Sequence, residues 1–198
     1  MSLEAEVLAS LADARVAARR LALIGTDRKN RALDRLAAAL RSSTDRILAA
    51  NHEDVARAQA AGDAPAFVER LTLTSKRIAA MALSVEEVGA LPDPVGETMA
   101  HWRRPNGLGI RQVRVPIGVV AIIYESRPNV TVDAGVLGFK AGNAVVLRGG
   151  REALSTNAVL AELIAAALVK TDLDPHAVTF IGNPDREVIQ ILKRHPEA

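Results

Sequence analysis

The chain has 198 residues, a formal net charge of +2 and 49% hydrophobic residues, enough for one or two domains with a real core. No apolar run approaches the roughly 18 to 20 residues that cross a bilayer, and the opening MSLEAEVLASLADARVAARR carries acidic residues early with no apolar signal core. A soluble cytoplasmic protein without a membrane partner is expected, and the absence of cysteine excludes disulfides, thiolate metal sites and thiol nucleophiles among these residues.

The first ninety or so residues read as helices. Val7, Leu11, Ala14, Ala18 and Leu21 recur at three- and four-residue spacing and share one helical face. Thr26 or Asp27 is expected to cap the next helix, whose stripe is Leu33, Leu36, Ala37 and Leu40. Ser43 or Thr44 caps a third helix through about Ala61, which Gly62 stops. A further helix spans Ser75–Ala90, ahead of Pro92 and Pro94. Basic and acidic residues interleave along these helices, as in Arg31-Ala-Leu-Asp34-Arg35. That pattern reads as a solvated mixed-charge surface, not a nucleic-acid face. Aromatic residues, at 3%, are too few for base-stacking platforms.

Composition then shifts. Thr98–Arg104 and Leu108–Val115 flank Pro105-Asn106-Gly107, a strong short hairpin signal, and the hairpin is expected to act as an arm that pairs with something else. From Pro116 onward strands alternate with helices. Strands are expected at Gly118–Tyr124, Ala144–Arg148 and Ala177–Ile181, and helices at Val130–Lys140, Glu152–Val169 and Asp185–Arg194. The continuous apolar runs suit strands covered on both faces of a parallel sheet. The expected class is therefore α/β. An N-terminal helical part (1–97) and a β-hairpin arm (98–115) precede a partial Rossmann-like parallel sheet (116–198). Three parallel strands leave unpaired edges, so the sheet reads as part of a larger one.

No Gly-x-Gly-x-x-Gly, Walker A, Gly-x-Ser-x-Gly or His-Glu-x-x-His pattern occurs, and His52, His101, His176 and His195 lie on different elements, so no metal site is expected. Chemistry must come from the polar turns at the strand ends, where open α/β sheets bind ligands. Asn129 begins a helix after Pro128 and reads either as its N-cap or as an amide donor to a developing oxyanion. Arg127, in the same turn, reads either as a brace for a carboxylate such as Asp133 or as a fork for a substrate carboxylate or phosphate. Arg148 ends a strand before Gly149 and Gly150, which would let a ligand approach the backbone. It is a candidate for the ribose or 2′-phosphate of a dinucleotide.

Three segments carry a resemblance: Val115-Pro-Ile-Gly-Val-Val, Ile123-Tyr-Glu-Ser-Arg-Pro-Asn-Val-Thr-Val-Asp133 and Lys140-Ala-Gly-Asn-Ala-Val-Val-Leu-Arg-Gly-Gly150. Leu71-Thr-Leu, the Pro105-Asn-Gly-Leu hairpin and Asn183-Pro-Asp-Arg186 support it. Over nearly its whole length the chain resembles the N-terminal portion of the γ-glutamyl phosphate reductase (glutamate-5-semialdehyde dehydrogenase) family of the aldehyde dehydrogenase superfamily. The resemblance implies NADPH-dependent reduction of L-glutamyl 5-phosphate to L-glutamate 5-semialdehyde, with phosphate release, in proline synthesis. It implies a cysteine nucleophile that forms a thioester, in a catalytic domain outside these residues, so that this chain alone is inactive. It makes Asn129 the oxyanion donor, Arg127 substrate-binding, and Ile123, Tyr124, Glu125, Arg148, Gly149 and Gly150 cofactor-binding, and it implies a homo-oligomer. Two other readings stay open: a non-catalytic nucleotide-binding or assembly module, and a related aldehyde dehydrogenase with another substrate.

Overall fold

The computed structural model describes residues 2–195; the last three residues of the expected sheet region lie outside the described residues. Helix α1 (Leu3–Leu21) starts at Ser2, whose hydroxyl accepts the Ala5 N–H, and it buries the expected stripe together with Ala17. Helix α2 (Thr26–Ser42) already includes both expected cap residues, Thr26 and Asp27. Gly25 holds the cap position with no side-chain bond, and the Thr26 hydroxyl donates to Asp93 instead. Helix α3 (Thr44–Ala60) follows Ser43, which makes no side-chain cap, and Thr44 donates back to Arg41 O of the preceding turn. Gly62 ends it at φ +76°, the left-handed conformation expected of a stop.

A short helix α4 (Pro65–Leu71), absent from the sequence-based expectation, has its proline in the first turn, where the missing N–H costs nothing. Helix α5 (Ser75–Ala90) is capped by Thr74, which accepts the Arg77 N–H. Strands β1 (Thr98–Arg103) and β2 (Gly109–Val113) form the expected antiparallel hairpin, with Gly107 at φ +87° in its turn.

Strands β3 (Val119–Ile123), β4 (Ala144–Arg148) and β5 (Val178–Phe180) form a parallel sheet in that order, linked through helices α6 (Pro128–Lys140) and α7 (Leu154–Val169). Helix α8 (Glu187–Arg194) follows. The third strand is shorter than expected because the Pro175–Ala177 stretch winds into a 3₁₀ turn capped by Asp174. Helix α7 likewise begins later, after a 3₁₀ turn over Arg151–Ala153. Only β4 is covered on both faces; β3 lies on the sheet edge, with Ala121 and Ile123 exposed, which corrects the expectation of full cover for every strand.

Strand β4 divides the core by alternation. Val145 and Leu147 belong to the cluster formed with α2, α5, α6 and α7, whereas Ala144 and Val146 meet α1 and α8. The N-terminal helices are thus part of the layers that cover the sheet. Arg151–Val169 is apolar and long enough by composition to cross a bilayer, yet Leu160, Leu163, Ile164 and Leu168 lie in the main core.

Two buried polar devices hold the layers. Asp54 of α3 is fully buried and caps α7 from outside, accepting the Ser155 N–H (3.1 Å), the Thr156 N–H (2.8 Å) and the Thr156 hydroxyl (2.6 Å). Lys29 of α2, also fully buried, pairs with Asp93 at 2.6 Å, while Lys140 donates to Gly89 O at 2.8 Å. Burial works against the Asp93 carboxylate, but hydrogen bonds from Lys29, the Val95 N–H and Thr26 hold it below its ordinary range.

Candidate functional site

The carboxyl ends of β3 and β4 lie side by side, and the Tyr124 N–H extends the ladder by donating to Arg148 O at 3.1 Å. Ile123 and Glu125 stand open at this end. Tyr124 turns inward, and its OH lies 2.7 Å from Thr131 Oγ1. The Thr131 hydroxyl donates to Asn157 Oδ1 at 2.8 Å, which spends its only proton, so the tyrosine is the donor in the first bond. Burial pushes the Tyr124 phenol up to about 12, so it keeps that proton at neutral pH. The chain of bonds ends at Asn157 Nδ2, which is buried without a partner among the described residues.

The two glycines after β4 make room for the protein's own side chains. A Cβ on Gly149 would collide with Asn157 Nδ2 and come within 2.9 Å of Tyr124 Cζ. A Cβ on Gly150 would collide with Ser126 Oγ and lie 3.0 Å from Glu152 Oε2. Both glycines are thus required by the protein's own packing at this turn. Ser126 itself is buried and donates to Glu152 Oε2 at 2.6 Å.

The Arg148 side chain is likewise engaged by the protein itself. It is only 7% exposed, and its guanidinium donates to Gly149 O (2.7 Å), Pro184 O (2.7 Å) and Asp185 O (3.4 Å). Its Nε is buried without a partner among the described residues. The fork is therefore occupied by the backbone of the loop after β5, and Arg148 sets the position of that loop.

Arg127 and Asn129 belong to a different surface. They line a groove of about 510 Å³ between α5 and the start of α6, with Arg70, Leu73, Met81, Ser84 and Asp133 among its walls. Asn129 is not the N-cap: Pro128 opens the helix, Arg127 holds the cap position without a side-chain bond, and Asn129 is the second helical residue. Its Nδ2 donates to Asp133 Oδ2 at 2.9 Å. The Arg127 side chain is exposed and makes no hydrogen bond or ion pair among the described residues, so it does not brace Asp133.

The expected site residues thus fall into two groups joined by one turn. Ile123, Tyr124, Glu125, Arg148, Gly149 and Gly150 cluster at the strand ends, and Arg127 and Asn129 face the groove. Asp133 was named from the sequence only as a partner for Arg127, and Ser84 in the groove and Thr131 and Asn157 behind the turn were not singled out. The four-residue spacing of Asn129 and Asp133 on one helix was a usable signal; nothing local marks Asn157. A larger cavity, about 920 Å³, lies elsewhere, against Gly118 and Val119 at the amino end of β3. Ligands of open α/β sheets bind at the opposite, carboxyl end, so the smaller groove is the better candidate.

The aldehyde dehydrogenase family profile matches residues 2–198, and the chain belongs to this family. Curated relatives that it matches are named gamma-glutamyl phosphate reductase. The gamma-glutamyl phosphate reductase of Carboxydothermus hydrogenoformans is 51% identical over 189 residues, which is 96% of this chain and 46% of that protein. The chain spans about half the length of the curated relatives it matches. The crystal structure of gamma-glutamyl phosphate reductase from Thermotoga maritima superposes with a TM-score of 0.91 at 42% identity, covering 93% of this chain and 44% of that one. The Saccharomyces cerevisiae enzyme gives 0.86 at 28% identity, covering 95% and 48%. A probable aldehyde dehydrogenase from Listeria monocytogenes shares the fold alone, at a TM-score of 0.72 and 17% identity over 96% of this chain and 39% of that one.

Proposed function

We propose that these residues form the binding half of a cytoplasmic reductase that converts L-glutamyl 5-phosphate to L-glutamate 5-semialdehyde with NADPH, releasing phosphate, as a step of proline synthesis. The observation that carries this reading is the Tyr124–Pro128 turn, which joins the open carboxyl end of β3 to the groove of Arg127 and Asn129. Two ligands held on either side of one short turn have their reacting ends brought together.

Arg127, exposed and unpaired, takes an anionic group of the substrate. Asn129 spends one amide N–H on Asp133 and keeps the second for an oxyanion developing at the acyl carbon. For a dinucleotide the residues fit in part. Ile123 and Glu125 offer open surface at the strand end, and Tyr124, Gly149 and Gly150 shape the turn beneath it. Arg148 contributes by holding the Pro184 loop, not through its own fork. When bound, the nicotinamide supplies a hydride to the acyl carbon. The nucleophile, by family resemblance a cysteine thiolate, would have to come from outside these 198 residues, which contain none. By themselves they would not turn over. The hairpin, with Met99, Trp102 and Leu108 exposed, is the segment suited to pairing with a second copy.

The lack of cysteine favours one second reading, a nucleotide-binding or assembly module without catalysis. The test joins this chain to the remaining portion of the Carboxydothermus hydrogenoformans reductase and follows NADP⁺ reduction by L-glutamate 5-semialdehyde. The reading expects turnover that requires added phosphate; turnover indifferent to phosphate, or none in a folded fusion, refutes it.

A further inference from the structure

We propose that Asp133 is the specificity-determining residue of the groove, taking the α-ammonium of an amino-acid substrate while Arg70 and Arg127 take its α-carboxylate. The inference rests on the glutamyl reading above and adds to it a recognition of the substrate's non-reacting end.

The groove holds a carboxylate without a cation. Asp133 is half-buried, accepts Asn129 Nδ2 at 2.9 Å on one oxygen, and lies 3.5 Å from Ser84 Oγ on the other. Neutral donors thus orient it, and no ion pair to it forms among the described residues. The groove also holds arginines without an anion. Arg77 is engaged by Glu69 at 2.5 Å and by Thr72 O, but the guanidinium groups of Arg70 and Arg127 have no hydrogen bond or ion pair among the described residues. All three line the same groove as Asp133.

Opposite charges that share a groove without pairing each call for a partner of the other sign. A dicarboxylate satisfies only the arginines, and an amine satisfies only Asp133. An α-amino acid head group satisfies both, because its ammonium donates to a carboxylate while its carboxylate accepts from a guanidinium fork. Leu73 and Met81 supply apolar wall for the methylenes that follow. Asn129 then has a double place: its amide holds Asp133 and lies between the head-group end of the groove and the Tyr124–Pro128 turn.

The Asn129 side-chain amide is a direct reporter, because its N–H donates to the carboxylate in question. The chain is titrated with L-glutamate and, separately, with glutarate, which has the same carbon chain and no ammonium, while that amide resonance is followed by NMR. The expected result is a saturable shift with L-glutamate and affinity at least about tenfold weaker with glutarate, which corresponds to the loss of roughly 1.4 kcal/mol. Asp133→Asn keeps the shape and an oxygen to accept the Asn129 amide, while the Ser84 hydroxyl can turn to accept from its Nδ2, so the fold persists, and it is expected to abolish the preference. Glutarate binding as well as L-glutamate, no shift from either, or a preference that survives Asp133→Asn in a chain with an otherwise unchanged spectrum each overturns the proposal. No turnover is needed, so a fusion without reductase activity that still discriminates L-glutamate removes the reaction proposed above and leaves the head-group site standing.

Discussion

Replacing Arg148 with methionine separates a loop brace from a cofactor contact. The substitution keeps an unbranched apolar stem and removes the guanidinium that donates to Gly149 O and Pro184 O, each at 2.7 Å. Hydrogen bonds from a charged group contribute about 1.5–3 kcal/mol each, and a buried acceptor left unpaired adds to the loss. The Gly149 carbonyl belongs to a buried residue, whereas Pro184 is exposed, so water replaces much of the second bond. A net destabilisation of about 3 kcal/mol follows, which lowers Tm by about 6–12 °C at the roughly 2–4 °C per kcal/mol expected for a chain of this size. Circular dichroism measures that shift, and hydrogen exchange is expected to accelerate at the amides around Asp185. Arg148→Lys should recover little, because one ammonium cannot span the carbonyls that the fork reaches. NADPH and NADH binding should weaken together. An unchanged Tm with a loss confined to NADPH would refute the brace and restore a direct 2′-phosphate contact.

Three further outcomes follow from the same packing. Asp54→Ala leaves two N–H groups at the start of α7 and the Thr156 hydroxyl without their buried acceptor; a loss of about 3–5 kcal/mol is expected in urea unfolding, and a loss below about 1 kcal/mol would mean that water replaces the cap. Gly149→Ala drives a methyl into Asn157 and Tyr124 and should cost about 1–3 kcal/mol, part of which returns on adding Asn157→Ala because the two sites share the clash. Burial alone would raise Glu152, but hydrogen bonds from Ser126, its own backbone and Arg151 hold it below its ordinary 4.5. A carboxylate with a lowered folded pKa stabilises the protein above its unfolded pKa and loses that contribution as pH falls through the folded value. Acid unfolding followed below pH 4.5 should therefore be less steep in Ser126→Ala, where the folded value moves back toward 4.5.

Much of the fold was legible because its signals are periodic or local. The α1 stripe repeats at helical spacing, and Asn106-Gly107 specifies a turn with φ > 0. Helix α4 was illegible because it is too short for a stripe; it is held by a small cluster in which Leu71 meets Ala58 and Ala153, residues distant in sequence. The site was legible by position and less so by role. Asn129 read as a cap because asparagine caps well, but Pro128 takes the first helical position and moves Asn129 inside, where it meets Asp133 one turn on. Arg148 read as a ligand contact because the carbonyls that occupy it come from Pro184 and Asp185, across the sheet from β4's own neighbours in sequence. Gly149 and Gly150 read as a ligand clearance because the side chains filling that space arrive from α7 and from the turn after β3.

The central claim is that this chain supplies the binding half of an acyl-phosphate reductase. Its most direct test is the forward reaction of the fusion with the Carboxydothermus hydrogenoformans remainder, supplied with L-glutamyl 5-phosphate, in which NADPH consumption and phosphate release are measured together. The account predicts equal rates of the two, with L-glutamate 5-semialdehyde as product. Phosphate release without NADPH consumption, or activity confined to the oxidation of free aldehydes, would contradict it.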